Sequence, residues 1–101
     1  MIDEELAAFL KDDKITVHIA DDHQILIDGV IAVLGLEEDM EVVGYSLNGL
    51  EVLDWFHEHS ADVLVLDINM PKLDGIEVLK RFQKYDDVPQ VVILSSYDDI
   101  K

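Results

Sequence analysis

The chain has 101 residues, half of them hydrophobic, and carries 23 acidic against 7 basic side chains, for a formal net charge of -16. This length fits a single domain, and the hydrophobic fraction argues against disorder. The negative charge argues against direct contact with nucleic acid or an anionic membrane, since both need cationic side chains. The lack of cysteine excludes disulfides and thiolate nucleophiles. Without a secretory leader or an apolar run of membrane-spanning length, we expect a soluble, cytoplasmic protein.

The hydrophobic pattern predicts strands and helices in alternation after a short N-terminal helix. Residues 3–10 have apolar side chains at helical spacing and acids in the first turn, where the helix dipole favours them. Strands are predicted over Ile15–Ala20, 40–45, 63–66 and 91–94, and helices over 23–36, 48–59 and 74–85. Strands that alternate with helices imply right-handed crossovers and one parallel sheet.

The predicted helices carry apolar residues at recurring spacings. In helix 23–36 these residues are Ile25, Leu26, Val30, Val33 and Leu34. In helix 48–59 they are Leu50, Leu53 and Phe56, which recur every three residues, with Val52 and Trp55 widening a face that should pack on the sheet. Asp74 is expected to cap helix 74–85, with Glu77 in the capping-box position.

Three carboxylates follow the ends of two predicted strands. Asp21 and Asp22 come directly after Ile15–Ala20, and Asp67 follows the apolar run 63–66. The carboxyl ends of parallel strands form the crevice where ligands bind in open α/β sheets. Carboxylates so close together repel one another, and a hard cation with oxygen ligands would remove the repulsion. The pattern therefore predicts a Mg²⁺ site.

The four histidines receive less weight as functional residues. His18 lies inside a strand and is expected to be a core histidine with its polar atoms satisfied. His57 and His59 are two apart on a helix and so point to different faces, which argues against a metal site there. His23, directly after the two aspartates, is expected to be structural.

With the acids placed, the chain resembles a response-regulator receiver domain of two-component signalling. The resemblance rests on segments that occur in order between residues 15 and 97: Asp21-Asp22-His23, Val42-Val43-Gly44, Asn48-Gly49, Asp67-Ile68-Asn69-Met70-Pro71, Asp74-Gly75-Ile76-Glu77-Val78-Leu79 and Val91-Val92-Ile93-Leu94-Ser95. The opening Asp-Asp-His looks most like the subfamily that carries a LuxR-type helix-turn-helix, which regulates transcription. The resemblance implies an α/β, flavodoxin-like, doubly wound parallel sheet with strand order 2-1-3-4-5.

The resemblance also implies roles for individual residues. Asp67 would accept a phosphoryl group from a histidine kinase in a phosphorelay. Mg²⁺ would be held by Asp22, Asp67 and the backbone carbonyl of Asn69, with Asp21 acting mainly through water. Ser95 would hydrogen-bond the phosphoryl oxygen and report its arrival, with Ser96 as the alternative if the register slips by one. Asn69 and Tyr97 would tune hydrolysis of the phosphorylated state.

One family feature lies outside this sequence. Receivers normally have a lysine at the end of a fifth strand, whereas this chain stops at Lys101, where the fourth helix would begin. We therefore expect residues 1–14 to be a helical extension and residues 15–101 a receiver truncated after its fourth strand, without the fourth helix, fifth strand and fifth helix. An exposed fourth-strand edge would favour a homodimer or swapped assembly.

Three functions compete at this stage. The leading one is a phosphorylation-dependent switch that acts on a partner or effector domain and is not itself an enzyme. A second is a receiver-like interaction module that no longer takes phosphate. A third is a Mg²⁺-dependent phosphohydrolase with an aspartyl-phosphate intermediate. Such enzymes generally place a second acid two residues after the nucleophile, and here that residue is Asn69.

Overall fold

Four strands and three helices alternate along residues 14–94, the part of the chain that this computed structural model describes. The strands are β1 Ile15–Ala20, β2 Met40–Ser46, β3 Val63–Asp67 and β4 Gln90–Leu94, and the helices are α1 Gln24–Leu34, α2 Gly49–Glu58 and α3 Gly75–Phe82. The predicted succession of elements is thus confirmed over this range. The helix expected over residues 3–10 lies outside the described residues, as do Ser95, Ser96 and Tyr97.

The sheet has the order β2-β1-β3-β4, and every pair of neighbours is parallel. This is the predicted flavodoxin-like order over its first four strands. Ala20 of β1 lies opposite Leu66 of β3, and Asp67 lies opposite Leu94 of β4. The carboxyl ends of the three strands therefore meet at one edge of the sheet.

The core has one layer on each face of the sheet, as a doubly wound fold requires. On one face, α2 and α3 bury Val52, Val78 and Phe82 against Ala20, Leu64 and Leu66. On the other face, α1 buries Ile27 against Val17 and Ile19. Alternate residues of β1 thus point into opposite layers, which is the period-two pattern of a strand covered on both sides.

The apolar face of α1 is only partly the one expected from the sequence. Of the apolar residues at helical spacing, Val30 and Leu34 pack toward the sheet, with Ile27 at the centre of the contact. Ile25 is instead 87% exposed and Val33 is 63% exposed. The helix has two apolar stripes, and the spacing alone did not show which of them faces the sheet.

The predicted face of α2 is shifted by about one residue. Val52 is completely buried, and Leu53 and Phe56 pack against the same core, whereas Leu50 is 46% exposed. A repeat of three residues drifts around a helix that has 3.6 residues per turn, so one stripe cannot stay buried along its whole length.

The third helix is shorter than predicted and ends at Phe82 rather than Tyr85. Asp74 caps its start, since the side chain accepts a hydrogen bond from Glu77 N at 3.0 Å. Beyond Phe82, the amides of residues 83–85 bond to carbonyls three residues back, which are tighter turns than the α-helix. None of the helices described within residues 14–94 has the length and apolar composition needed to cross a bilayer.

His18 is completely buried between the sheet and α2. Its ring lies 4.3 Å from the Trp55 ring and 5.3 Å from the Phe56 ring, and Nε2 is 2.7 Å from Ser46 Oγ. Nδ1 has no hydrogen-bond partner among residues 14–94, so only one of the two ring nitrogens has the hydrogen bond that the sequence analysis expected. A Cβ at Gly44, opposite His18, would lie 2.9 Å from Nδ1, so the glycine makes room for this ring.

Candidate functional site

The three predicted carboxylates meet at the carboxyl edge of the sheet. Because β1 and β3 are neighbours in register, the residues that follow Ala20 lie beside the end of β3. Asp21 is 2% exposed and Asp67 is 8% exposed, whereas Asp22 is turned toward solvent. One ligand atom from each of Asp21, Asp22, His23 and Asp67 lies within 4.8 Å of the others. The site thus has two buried acids beneath an exposed acid and an exposed imidazole.

Asp21 is held by hydrogen bonds on both sides. Its backbone N–H donates to Ser46 O at the end of β2, at 3.0 Å. Its Oδ1 accepts the backbone N–H of His23 at 2.8 Å, which turns the chain sharply after β1. Burial of this carboxylate therefore comes with fixed donors, as the cost of an unpaired buried charge requires.

His23 links the two adjacent acids. Its Nδ1 lies 2.8 Å from Asp21 Oδ1 and 3.1 Å from Asp22 Oδ1. The hydrogen bond to Asp21 raises the pKa of His23 above its ordinary value, and the negative charges of Asp22, Asp21 and Asp67 act in the same direction. A protonated ring here offsets part of the repulsion among the carboxylates.

The loop after β3 positions Asp67. Asp67 Oδ1 accepts the backbone N–H of Asn69 at 3.1 Å, which fixes the direction of the carboxylate. Gly75 N donates to Ile68 O at 2.8 Å and closes the loop. A Cβ at Gly75 would lie 2.8 Å from the backbone oxygen of Asp67, so only glycine allows this approach.

The same loop contains a tight turn and a contact with α2. Lys72 has a φ of 68°, the left-handed region, and Leu73 N donates to Pro71 O at 2.7 Å across it. Leu73 O then accepts Gly49 N at 2.9 Å, and a Cβ at Gly49 would collide with that carbonyl. Asn48 caps α2 by accepting Glu51 N at 3.0 Å. The loop is therefore anchored to the first turn of the neighbouring helix.

The donor set suits a hard divalent cation. Three carboxylates supply oxygen ligands, and one of them faces solvent, where the remaining positions would be filled by water. Thiolates are absent from the sequence, and the imidazole is already directed at two of the acids. The arrangement can therefore hold a metal beside the Asp67 carboxylate, a potential nucleophile.

The acids predicted to cluster lie together, with a histidine beside them. Asp21, Asp22 and Asp67 come together as predicted. The backbone N–H of Asn69 contacts Asp67, whereas the role predicted for its carbonyl stays a prediction. His23 also contacts Asp21 and Asp22, and the structural role predicted for it stays a prediction.

Comparison with known proteins identifies a family. The family model for the response regulator receiver domain matches residues 17–101. The transcriptional regulatory protein DegU of Brevibacillus brevis is 37% identical over 91 residues, which cover 89% of this chain and 38% of that protein. The chain thus spans well under half the length of this curated relative.

Solved receiver structures share the fold. The receiver domain of the putative response regulator NarL from Mycobacterium tuberculosis superposes with a TM-score of 0.79 at 32% identity, covering 87% of this chain and 71% of that one. The response regulator domain of Thermotoga maritima CheB gives a TM-score of 0.78 at 33% identity, with coverages of 86% and 64%. The match across most of the chain, joined to acids clustered at the ends of β1 and β3, means that this chain belongs to the response-regulator receiver domain family of two-component signalling.

Proposed function

We propose that Asp67 is the phosphoryl acceptor of this receiver, with a histidine kinase as donor. The observation that carries the proposal is the position of Asp67 at the end of β3, 8% exposed and beside Asp21 and Asp22. In the transfer, an Asp67 carboxylate oxygen forms a bond to phosphorus as the bond from phosphorus to the kinase histidine nitrogen breaks. Such a transfer asks the protein mainly for alignment and for neutralisation of charge.

The residues around Asp67 support these requirements. The Asn69 N–H holds the carboxylate in one orientation, and the anchored loop keeps Asn69 in place. Asp22 and Asp67, with the Asn69 carbonyl, would bind Mg²⁺, and Asp21 would act mainly through water. When bound, Mg²⁺ would neutralise the negative charge of the acids and of the incoming phosphoryl group.

Ser95 and Tyr97 complete the proposal from outside the described residues. Leu94, the last residue of β4, pairs with Asp67 of β3. This register supports Ser95 as the donor of a hydrogen bond to the phosphoryl oxygen. We assign Tyr97, together with the Asn69 side chain, to control of hydrolysis.

The relatives and the charge of the chain support a proposal for the setting of the domain. We propose a cytoplasmic signalling domain that is not an enzyme in its own right, with residues 1–14 as an extension and residues 15–101 as the receiver. The state of Asp67 would act on an effector domain, a DNA-binding one in a transcription regulator. A homodimer or swapped assembly through β4 is proposed because, within residues 14–94, the outer edge of this strand has no paired neighbour.

Incubation with acetyl phosphate and Mg²⁺, followed by intact-mass measurement, tests the assignment. We expect the mass of one phosphoryl group to be added, and Asp67→Asn to abolish the addition. Asp54→Asn, at an exposed acid of α2, is the matched control and should leave phosphorylation unchanged. Unmodified parent protein would favour the interaction module that takes no phosphate, and a modified Asp67→Asn variant would place the acceptor elsewhere.

A further inference from the structure

A basic cleft lies between α2 and α3, away from the acid cluster. It has a volume of about 590 Å³ and is lined by Leu53, Glu77, Lys80, Arg81, Lys84 and Tyr85. Residues 14–94 contain five lysines and arginines, and three of them line this cleft. In a chain of net charge -16, this concentration of cations needs an explanation.

Two of the three cations are not neutralised within the described fold. Lys80 Nζ lies 3.5 Å from Glu77 Oε1, an exposed pair within one helix. Arg81 and Lys84 form no ion pair with any carboxylate of residues 14–94, although acids outnumber bases there several-fold. The cleft therefore presents uncompensated positive charge next to the apolar surfaces of Leu53 and Tyr85.

The helix dipole accounts for only part of this pattern. Lys80 and Arg81 occupy the last turn of α3, where positive charge is favoured near the carbonyl ends. Lys84 follows the end of the helix, and Leu53 comes from a different helix. A surface that combines these residues has the composition of a binding site for an acidic segment with apolar side chains.

We propose that residues 1–13 of the same chain occupy this cleft. Among these residues are five acids and a single lysine, and the acidic run Asp3-Glu4-Glu5 is followed closely by Leu6, Phe9 and Leu10. The acids would meet Arg81 and Lys84, and the apolar side chains would cover Leu53 and Tyr85. Partial exclusion of water by the apolar contacts would strengthen the ion pairs over those of a fully exposed surface.

The start of β1 and the segment that follows α3 meet at the same edge of the sheet. β1 starts at the amino edge of the sheet, where Thr16 N donates to Asp62 Oδ2 at 2.9 Å in the segment that follows α2. Gln90 N donates to Asp62 O at 2.9 Å, so the segment that follows α3 returns to the same edge. The four residues 11–14 can span about 13 Å when extended, and the helix predicted from the sequence over residues 3–10 would add about 12 Å.

Charge complementarity favours this cleft over the apolar surface of α1 as the binding site of residues 1–13. That surface is lined by Ile25, Leu26, Gly29, Val30, Val33 and Leu34. Helix α1 contains Asp28 but no lysine or arginine, and the acids Glu37, Glu38 and Asp39 follow it. An acidic segment would therefore meet like charge beside α1 and opposite charge between α2 and α3.

Carbodiimide cross-linking of the full chain tests the contact, because this reagent joins a carboxylate and a lysine amine that already touch, with loss of water. We expect the monomer to yield peptides that link Asp3, Glu4 or Glu5 to Lys80 or Lys84. The double variant Glu4→Gln, Glu5→Gln should lose most of these links and shift the amide NMR signals of Leu53 and Tyr85. Lys72→Gln removes an exposed lysine outside the cleft and should leave the links intact.

Charge exchange separates a specific contact from a chance encounter. Arg81→Glu with Lys84→Glu should abolish the links, and adding Glu4→Lys with Glu5→Lys should restore links between the exchanged positions. Links found only between two copies, increasing with protein concentration, would overturn the proposal and assign the cleft to a second molecule. Absence of links from residues 3–5, with unchanged NMR signals in the Glu4→Gln, Glu5→Gln variant, would also overturn it.

Discussion

Acidification should weaken this fold through His18. Burial lowers the pKa of His18 from 6.5 to about 4, and the charge of His59 acts in the same direction. The unfolded chain regains the ordinary value, so between pH 6.5 and 4 it binds more protons than the folded state. The stability contributed by neutral His18 is therefore complete above pH 6.5 and is lost as the pH falls toward 4.

The expected loss is large relative to the stability of a small domain. The change in pKa corresponds to about 3 kcal/mol in full, of which about 2 kcal/mol is lost by pH 5. A domain of this kind has a total stability of about 5–15 kcal/mol. The contacts of His18 are consistent with this loss. The ring packs against Trp55 and Phe56, and a proton added to Nδ1 would find no hydrogen-bond acceptor among the described residues.

Urea unfolding at pH 7.5 and pH 5 measures this effect in the parent and in His18→Leu. Leucine removes the hydrogen bond to Ser46 and lowers stability at both pH values. The other ionisable groups are common to the two proteins, so their contributions cancel in the comparison. The parent should therefore lose about 2 kcal/mol more than His18→Leu between the two conditions. His59→Gln should retain most of the parent's loss, since burial is the larger cause. An equal loss in the parent and His18→Leu would refute the reasoning.

Two further predictions concern the acid cluster and the loop that holds it. Mg²⁺ at ten times its Kd should stabilise the parent by about 1.4 kcal/mol. Thermal melts should show that this gain is lost in Asp22→Asn and kept in Asp54→Asn. A full gain in Asp22→Asn would contradict the metal assignment. Gly75→Ala should cost about 1–3 kcal/mol in urea unfolding, because the new Cβ meets the backbone at Asp67 and Ile68. Gly29→Ala, with open space around it inside α1, should gain about 0.5–1 kcal/mol, and equal effects at the two glycines would contradict the packing argument.

Local sequence information was sufficient to predict the order of strands and helices and the acids at the ends of β1 and β3. The apolar run of β3 and the cap at Asp74 depend on neighbouring residues, so each could be predicted from its own segment. The clustering of Asp21 with Asp67 needed one further step, the adjacency of β1 and β3. The alternation of strands and helices implies a parallel sheet, while the adjacency itself came from the family resemblance.

The environment of His18 could not be predicted in the same way. It depends on a shift of register between β1 and β2, where Val17 pairs with Val42 but His18 pairs with Gly44. This places a residue without a side chain opposite the imidazole and lets Trp55 approach it. Such an irregularity is decided by packing between distant segments, and hydrophobic periodicity carries no signal for it.

The two charged surfaces have a common origin in the direction of the chain. In a parallel sheet with crossover helices, each helix runs opposite to its strands, so helix N-termini and strand carboxyl ends share one edge. The dipole favours acids at that edge, and Glu51 and Glu77 occupy the first turns of α2 and α3 on the side where Asp21 and Asp67 cluster. Cations are favoured at the opposite edge, where α3 ends in the basic cleft. The separation means that charge exchange at positions 81 and 84 should disrupt docking of residues 1–13 while leaving the geometry around Asp67 intact.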